Sequence, residues 1–99
     1  GYDKPLRATR ETLCATNLTH RPIATLLVEI TYTDLSGRQL HTRRVTLDAD
    51  IPPGETRLLS FPSWDVNHTF FYRCGPQPRT SGVTPYDVAL RIIHIVTTH

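Results

Sequence analysis

The chain has 99 residues, 38% of them hydrophobic, and a formal charge of +2 from ten Arg, one Lys and nine acidic residues. That length holds one domain with one core and is short for a complete α/β enzyme. The charge is nearly balanced and Arg43-Arg44 is its only adjacent basic pair, whose members point to opposite faces of a strand, so no basic patch for nucleic acid is expected.

In chain order, Gly and Pro punctuation separates short segments rich in Thr, Val, Ile, Tyr and Phe, and helical periodicity is almost absent. Residues 6–16 alternate weakly and predict a first strand, placed at a sheet edge by Arg7, Arg10 and Glu11. Residues 17–22 predict a turn, because Asn17 tolerates left-handed geometry and Pro22 cannot donate a ladder bond. Residues 23–33 are the clearest strand, with Leu26, Val28, Ile30 and Tyr32 sharing the face expected to meet the core.

Asp34-Leu-Ser-Gly37 has the chemistry of a type I turn closed by a left-handed glycine, which makes a hairpin with a return strand at 39–48. Leu40 and the pair Val45, Leu47 fall on opposite parities, so a bulge is expected near Arg43-Arg44. Pro52-Pro53-Gly54 predicts the next turn, and residues 56–61 a fourth strand. Residues 69–74 and 86–97 complete the set. The last segment is apolar on both parities, which predicts a central strand with both faces partly covered. The connection 75–85 carries three prolines and two glycines and is long for a compact domain, the kind of segment that serves function or moves.

No catalytic or metal-ligand spacing emerges. The five histidines show no strand i, i+2 or helical i, i+4 pair, no serine sits in a Gly-x-Ser-x-Gly elbow, and the acidic residues are scattered apart from Asp48 and Asp50 beside a turn. Neither an enzyme nor a cofactor is expected. Cys14 and Cys74 lack the neighbours of a reactive thiol or metal site. A disulfide between them is the expectation, closing a loop of about sixty residues worth roughly 4 kcal/mol in the chain-entropy model and implying an exported location; the alternative is two separate buried thiols.

Both asparagines open sequons, Asn17-Leu-Thr19 and Asn67-His-Thr69. Their roles as turn residues are the preferred reading over glycan attachment. No apolar run approaches the roughly eighteen residues of a membrane-spanning helix. The chain starts Gly1-Tyr2 and contains no Met, so it reads as trimmed or processed, with any export signal or lipid anchor lying upstream.

From residue 17 to 61 the order of turn signals resembles the FxLYD-type and related immunoglobulin-like domains of exported bacterial proteins. The matching positions are Asn17, Pro22, Asp34, Gly37, Pro53, Gly54, Glu55 and Phe61. The namesake motif departs: Ile30, Tyr32 and Thr33 stand where the family has Phe, Leu and Tyr, and Asp34 alone is kept. The resemblance implies an extracytoplasmic accessory domain, often lipid-anchored, with no catalytic residues to carry over.

The expectation is therefore an all-β, antiparallel immunoglobulin-like sandwich of six to seven strands, acting as a non-enzymatic module in the periplasm or on the cell surface. Protein or glycan contacts are expected through one end of the sandwich, with Trp64, Phe61 and Arg79 as candidate binding residues, although a loop Trp also commonly plugs the end of a core. The alternative is a structural spacer that assembles by pairing an edge strand, 6–16, with a neighbour.

Overall fold

The computed structural model describes residues 1–6, 8–79 and 82–98. Seven strands follow in the order β1 (Tyr2–Asp3), β2 (Arg10–Thr16), β3 (Ile23–Thr33), β4 (Gln39–Ile51), β5 (Thr56–Pro62), β6 (Phe70–Tyr72) and β7 (Thr84–Thr97). They form a three-stranded sheet, β1-β2-β5, and a four-stranded sheet, β4-β3-β7-β6. The fold is a two-sheet, sandwich-like all-β arrangement.

Strand β3 organises the larger sheet, pairing antiparallel with β4 on one side and β7 on the other. Its inward set is the predicted one: Leu26, Val28, Ile30 and Tyr32 are all buried. Leu13, Leu59 and Phe61 of the smaller sheet meet them, with Leu47, Ala49 and Ile51 of β4. Burying each large apolar side chain contributes about 1.5–3 kcal/mol.

Two of the predicted turns form by the chemistry that suggested them, whereas Asn17 holds the 17–22 turn through its side-chain hydrogen bonds and not through left-handed backbone. The Asp34 carboxylate accepts from the backbone N–H of Ser36 (3.0 Å) and of Arg38 (2.9 Å), and Gly37 follows with φ +90°. Between β4 and β5, Glu55 N–H donates to Pro52 C=O at 3.1 Å around Gly54, whose φ is +78°. Both glycines occupy backbone that L side chains avoid.

Four expectations need correction. The β3–β4 pairing runs unbroken through Arg43 and Arg44; its register shifts lie beside Leu40 and near Asp50, which has φ +47°. Bulges at the ends of the ladder leave odd-numbered residues of β4 facing inward, Arg43 among them. Second, the 6–16 segment is an edge only in part: β2 lies between β5 and the two-residue β1, which covers it at Thr12 and Leu13.

Third, β6 and β7 are parallel, with Phe70 beside Thr84 and Tyr72 beside Tyr86. Parallel neighbours need a crossover of about a dozen residues, which gives the long 73–83 connection a topological reason. Fourth, β7 is not covered on both faces. A bulge at Ile93, skipped between the Val28–Ile92 and Leu27–His94 pairs, switches parity and puts Ile95 on the same face as Leu90 and Ile92. That face is open to solvent beyond Val88, where Ile92 is 57% exposed.

Cys14 and Cys74 are free and both exposed. Cys14 points away from the core opposite Leu58 in the smaller sheet, whereas Cys74 follows β6 in the other sheet. No disulfide joins them, so the expected bridge is absent, and neither thiol is buried.

Candidate functional site

At one end of the molecule a carboxylate is sealed between the sheets. Glu11 is fully buried because it shares the inward face of β2 with Leu13. Its Oε1 accepts the hydroxyls of Tyr32 (2.6 Å) and Tyr2 (2.7 Å). Its Oε2 accepts Arg43 Nη2 (2.6 Å) and the Trp64 backbone N–H (2.7 Å). Arg43 also donates to the Pro62 C=O at 2.7 Å and lies over the Phe61 ring, 5.4 Å from its centroid.

Because Tyr2 gives its only proton to Glu11, the Tyr86 hydroxyl 2.7 Å away donates to Tyr2. Burial, and then the charge of Glu11 and its hydrogen bond, push the Tyr2 phenol well above its ordinary range. Burial and Glu11 do the same to Tyr32, and burial pushes Tyr86 up to about 12. Every Glu11 lone pair faces a donor and the side chain is fully buried, so this is a structural hub tying β1, β2, β3, β4 and the loop after β5 together.

Trp64 completes that hub. It is half-buried, stacked on Tyr32 with ring centroids 4.5 Å apart and tilted against Phe70 at 4.9 Å. It plugs the end of the sandwich. Phe61 is 2% exposed and packs in the core; it cannot touch a partner, which corrects its assignment as a binding residue. Asp65 holds the following loop by accepting the backbone N–H of Thr69 (3.1 Å) and Phe70 (2.7 Å).

Arg79 is exposed, as expected of a contact residue. It borders a cleft of about 540 Å³ together with His68, Phe70, Phe71, Gln77 and Pro78. The described part of the 75–85 connection thus gathers beside the aromatic end, but Trp64 and Phe61 do not line that cleft.

At the opposite end Asn17 acts as a second polar pin. It is fully buried; Nδ2 donates to the C=O of Arg21 (2.8 Å) and of Ile51 (2.9 Å), and Oδ1 accepts Thr19 N–H (2.9 Å) and the Thr19 hydroxyl (2.7 Å). No capacity is left for a glycan. His20 lies in this turn and His68 at the other end of β2, so the two do not meet; no group of three or more His, Cys, Asp or Glu suited to a metal exists among the described residues.

An apolar opening lies between the sheets, beyond the reach of β1. The β1–β2 pairs are Tyr2–Leu13 and Asp3–Thr12, with Gly1 C=O accepting Cys14 N–H at 2.7 Å. Past Cys14, no described strand flanks β2 on that side. A groove of about 440 Å³ results, walled by Cys14, Ala15, Thr16 and Leu18 on one side and by Leu90, Ile92 and Ile95 on the other.

The same side chains belong to an unpaired strand edge. Strand β6 covers β7 only at Thr84, Pro85 and Tyr86, and Arg73 N–H adds a bond to Tyr86 C=O at 3.0 Å. From 88 to 97 the outer edge of β7 has no strand partner among the described residues. Leu90, Ile92, Ile95 and Val96 are exposed there. The sequence marks this segment as strongly apolar, but periodicity alone could not tell a covered strand from an open one.

No family model, curated protein or solved structure matches this chain.

Proposed function

We propose that this chain is a non-enzymatic interaction domain that binds an extended polypeptide segment by strand addition along β7. The carrying observation is the coincidence of an unpaired edge at 88–97 with an apolar groove at its foot. An added strand satisfies backbone groups on the β7 edge while its inward side chains enter the groove, the division of labour that gives strand addition affinity and specificity. Contiguous exposed apolar surface of this kind marks interaction sites.

This reading replaces the 6–16 segment with β7 as the assembling edge. The two sheets of three and four strands, and the turn chemistry of residues 17–61, support an immunoglobulin-like accessory module of the cell envelope. The free thiols withdraw the disulfide argument for export, so that location rests on the turn resemblance. Labelling of exposed Cys14 by a membrane-impermeant maleimide in intact cells supports it; labelling only after lysis argues against it.

A second reading keeps the loop end as the contact site, favoured by the cleft of Phe70, Phe71, Gln77 and Arg79. Its chemistry suits a glycan or a protein loop. One experiment separates the two. In a ¹⁵N NMR titration with a synthetic alternating Thr-Val peptide, strand addition shifts amides at 13–16 and 88–97. Shifts confined to Phe70, Phe71, Gln77 and Arg79 favour the loop end, and a silent β7 overturns strand addition by such a peptide.

A further inference from the structure

Resting on the strand-addition reading, we infer that the segment taken up by β7 is β7 of a second copy of this chain, paired antiparallel about a two-fold axis through Ile92. The edge is self-complementary in character. The bulged residue Ile93 drops out of the pairing with β3. If it drops out of the outer pairing too, Ile92 opposes itself, Arg91 opposes His94, Leu90 opposes Ile95, Ala89 opposes Val96 and Val88 opposes Thr97.

In that register inward residues meet inward residues on both arms, as an isologous interface requires. Leu90, Ile92 and Ile95 of both copies then line one continuous apolar seam beneath the open edge of β2. No other register uses the whole open stretch without running into β6, which occupies the edge at 84–86.

Charge and area agree with this occupant. Arg91, the only Arg or Lys of β7, is held by Glu29 at 3.1 Å on the outer face, so no unpaired charge enters the seam. Of the usual protections of a free edge, 88–97 lacks proline and lysine and carries one bulge, at Ile93, with Arg91 turned to the outer face. The ten residues 88–97 with Cys14, Ala15, Thr16 and Leu18 make fourteen a side, fewer than the roughly 20 of a standard interface of about 800 Å² and in the range of a weak, reversible dimer.

The test uses the full chain with Cys14→Ser and Cys74→Ser, both exposed positions. Added Ile92→Cys is expected to give an oxidised dimer of twice 11.2 kDa under non-reducing conditions, and Ala89→Cys, displaced from its own copy by several residues, none. Sedimentation of the unmodified chain should show its mass doubling across the micromolar range, and Ile92→Lys should remain at the single-chain mass with an unchanged circular dichroism spectrum. A single-chain mass at every concentration, or equal cross-linking by Ala89→Cys, overturns the second copy. A monomer whose β7 amides still respond to the Thr-Val peptide leaves strand addition standing; a monomer without that response ends both.

Discussion

At the scale of single residues, Glu11 joins donors from four other segments of the chain, Tyr2, Tyr32, Arg43 and Trp64. It appears in sequence as a charge on a weak first strand, and that suggested an edge. Its parity says otherwise: Glu11 shares a face with Leu13, and Arg43 shares one with Val45 and Leu47. Two opposite charges at inward positions of different strands were a readable sign of a buried pair. Breaking such a pair by removing one partner costs about 3–5 kcal/mol, because the survivor is left uncompensated. Glu11→Leu and Arg43→Met should each lose stability on that scale in urea denaturation. The double variant should lose less than the sum, by about 1–3 kcal/mol. Strict additivity would show that the two side chains act independently.

At the scale of elements, turns were the most legible features and edges the least. Asp34, Gly37, Pro52 and Gly54 act through local backbone geometry, so their sequence meaning survives folding. Whether β7 has a neighbour depends on where β6 arrives, 73–83 being a crossover rather than a hairpin loop. The half-covered state of β7 makes a measurable prediction. At low micromolar concentration, amides along 88–97 that donate to β3 should exchange slowly and their outward-pointing neighbours fast. Strand β3, paired on both sides from Thr25 to Thr33, should be protected throughout that stretch. Uniform protection of β7 in a solution of demonstrated monomers would mean that its outer edge is already covered.

At the scale of the whole molecule, the two sheets are joined at one end by tyrosines that must stay neutral. Tyr86 ordinarily ionises near 10 and burial lifts it to about 12. The folded state therefore favours the protonated phenol: that stability is complete below pH 10 and is lost as pH rises through about 12. Tyr2 and Tyr32 are raised for the same reason, and Tyr72 is raised by burial and its Cys74 neighbour. An ultraviolet titration should find none of the four tyrosines ionising at its ordinary pH. Phenolate absorbance should instead rise together with loss of the β circular dichroism signal. A normal titration of Tyr2, Tyr32 and Tyr86 in folded protein would show that the hub is open to water.

The sequence by itself determined the all-β class, nearly all the strand segments, the inward face of β3 and the turns, because each depends on alternation or on residues that one backbone geometry selects. It left Phe61, Trp64, Cys14 and Cys74 ambiguous, since a residue type does not say which side of a sheet it occupies. Only the tertiary structure decided that Phe61 is core, that the cysteines stay apart, and that β1 stops short of the face of β7. Those outcomes depend on how far one sheet overlaps the other. That overlap is set by non-local pairing, and from it come both the sealed end around Glu11 and the open edge at Ile92.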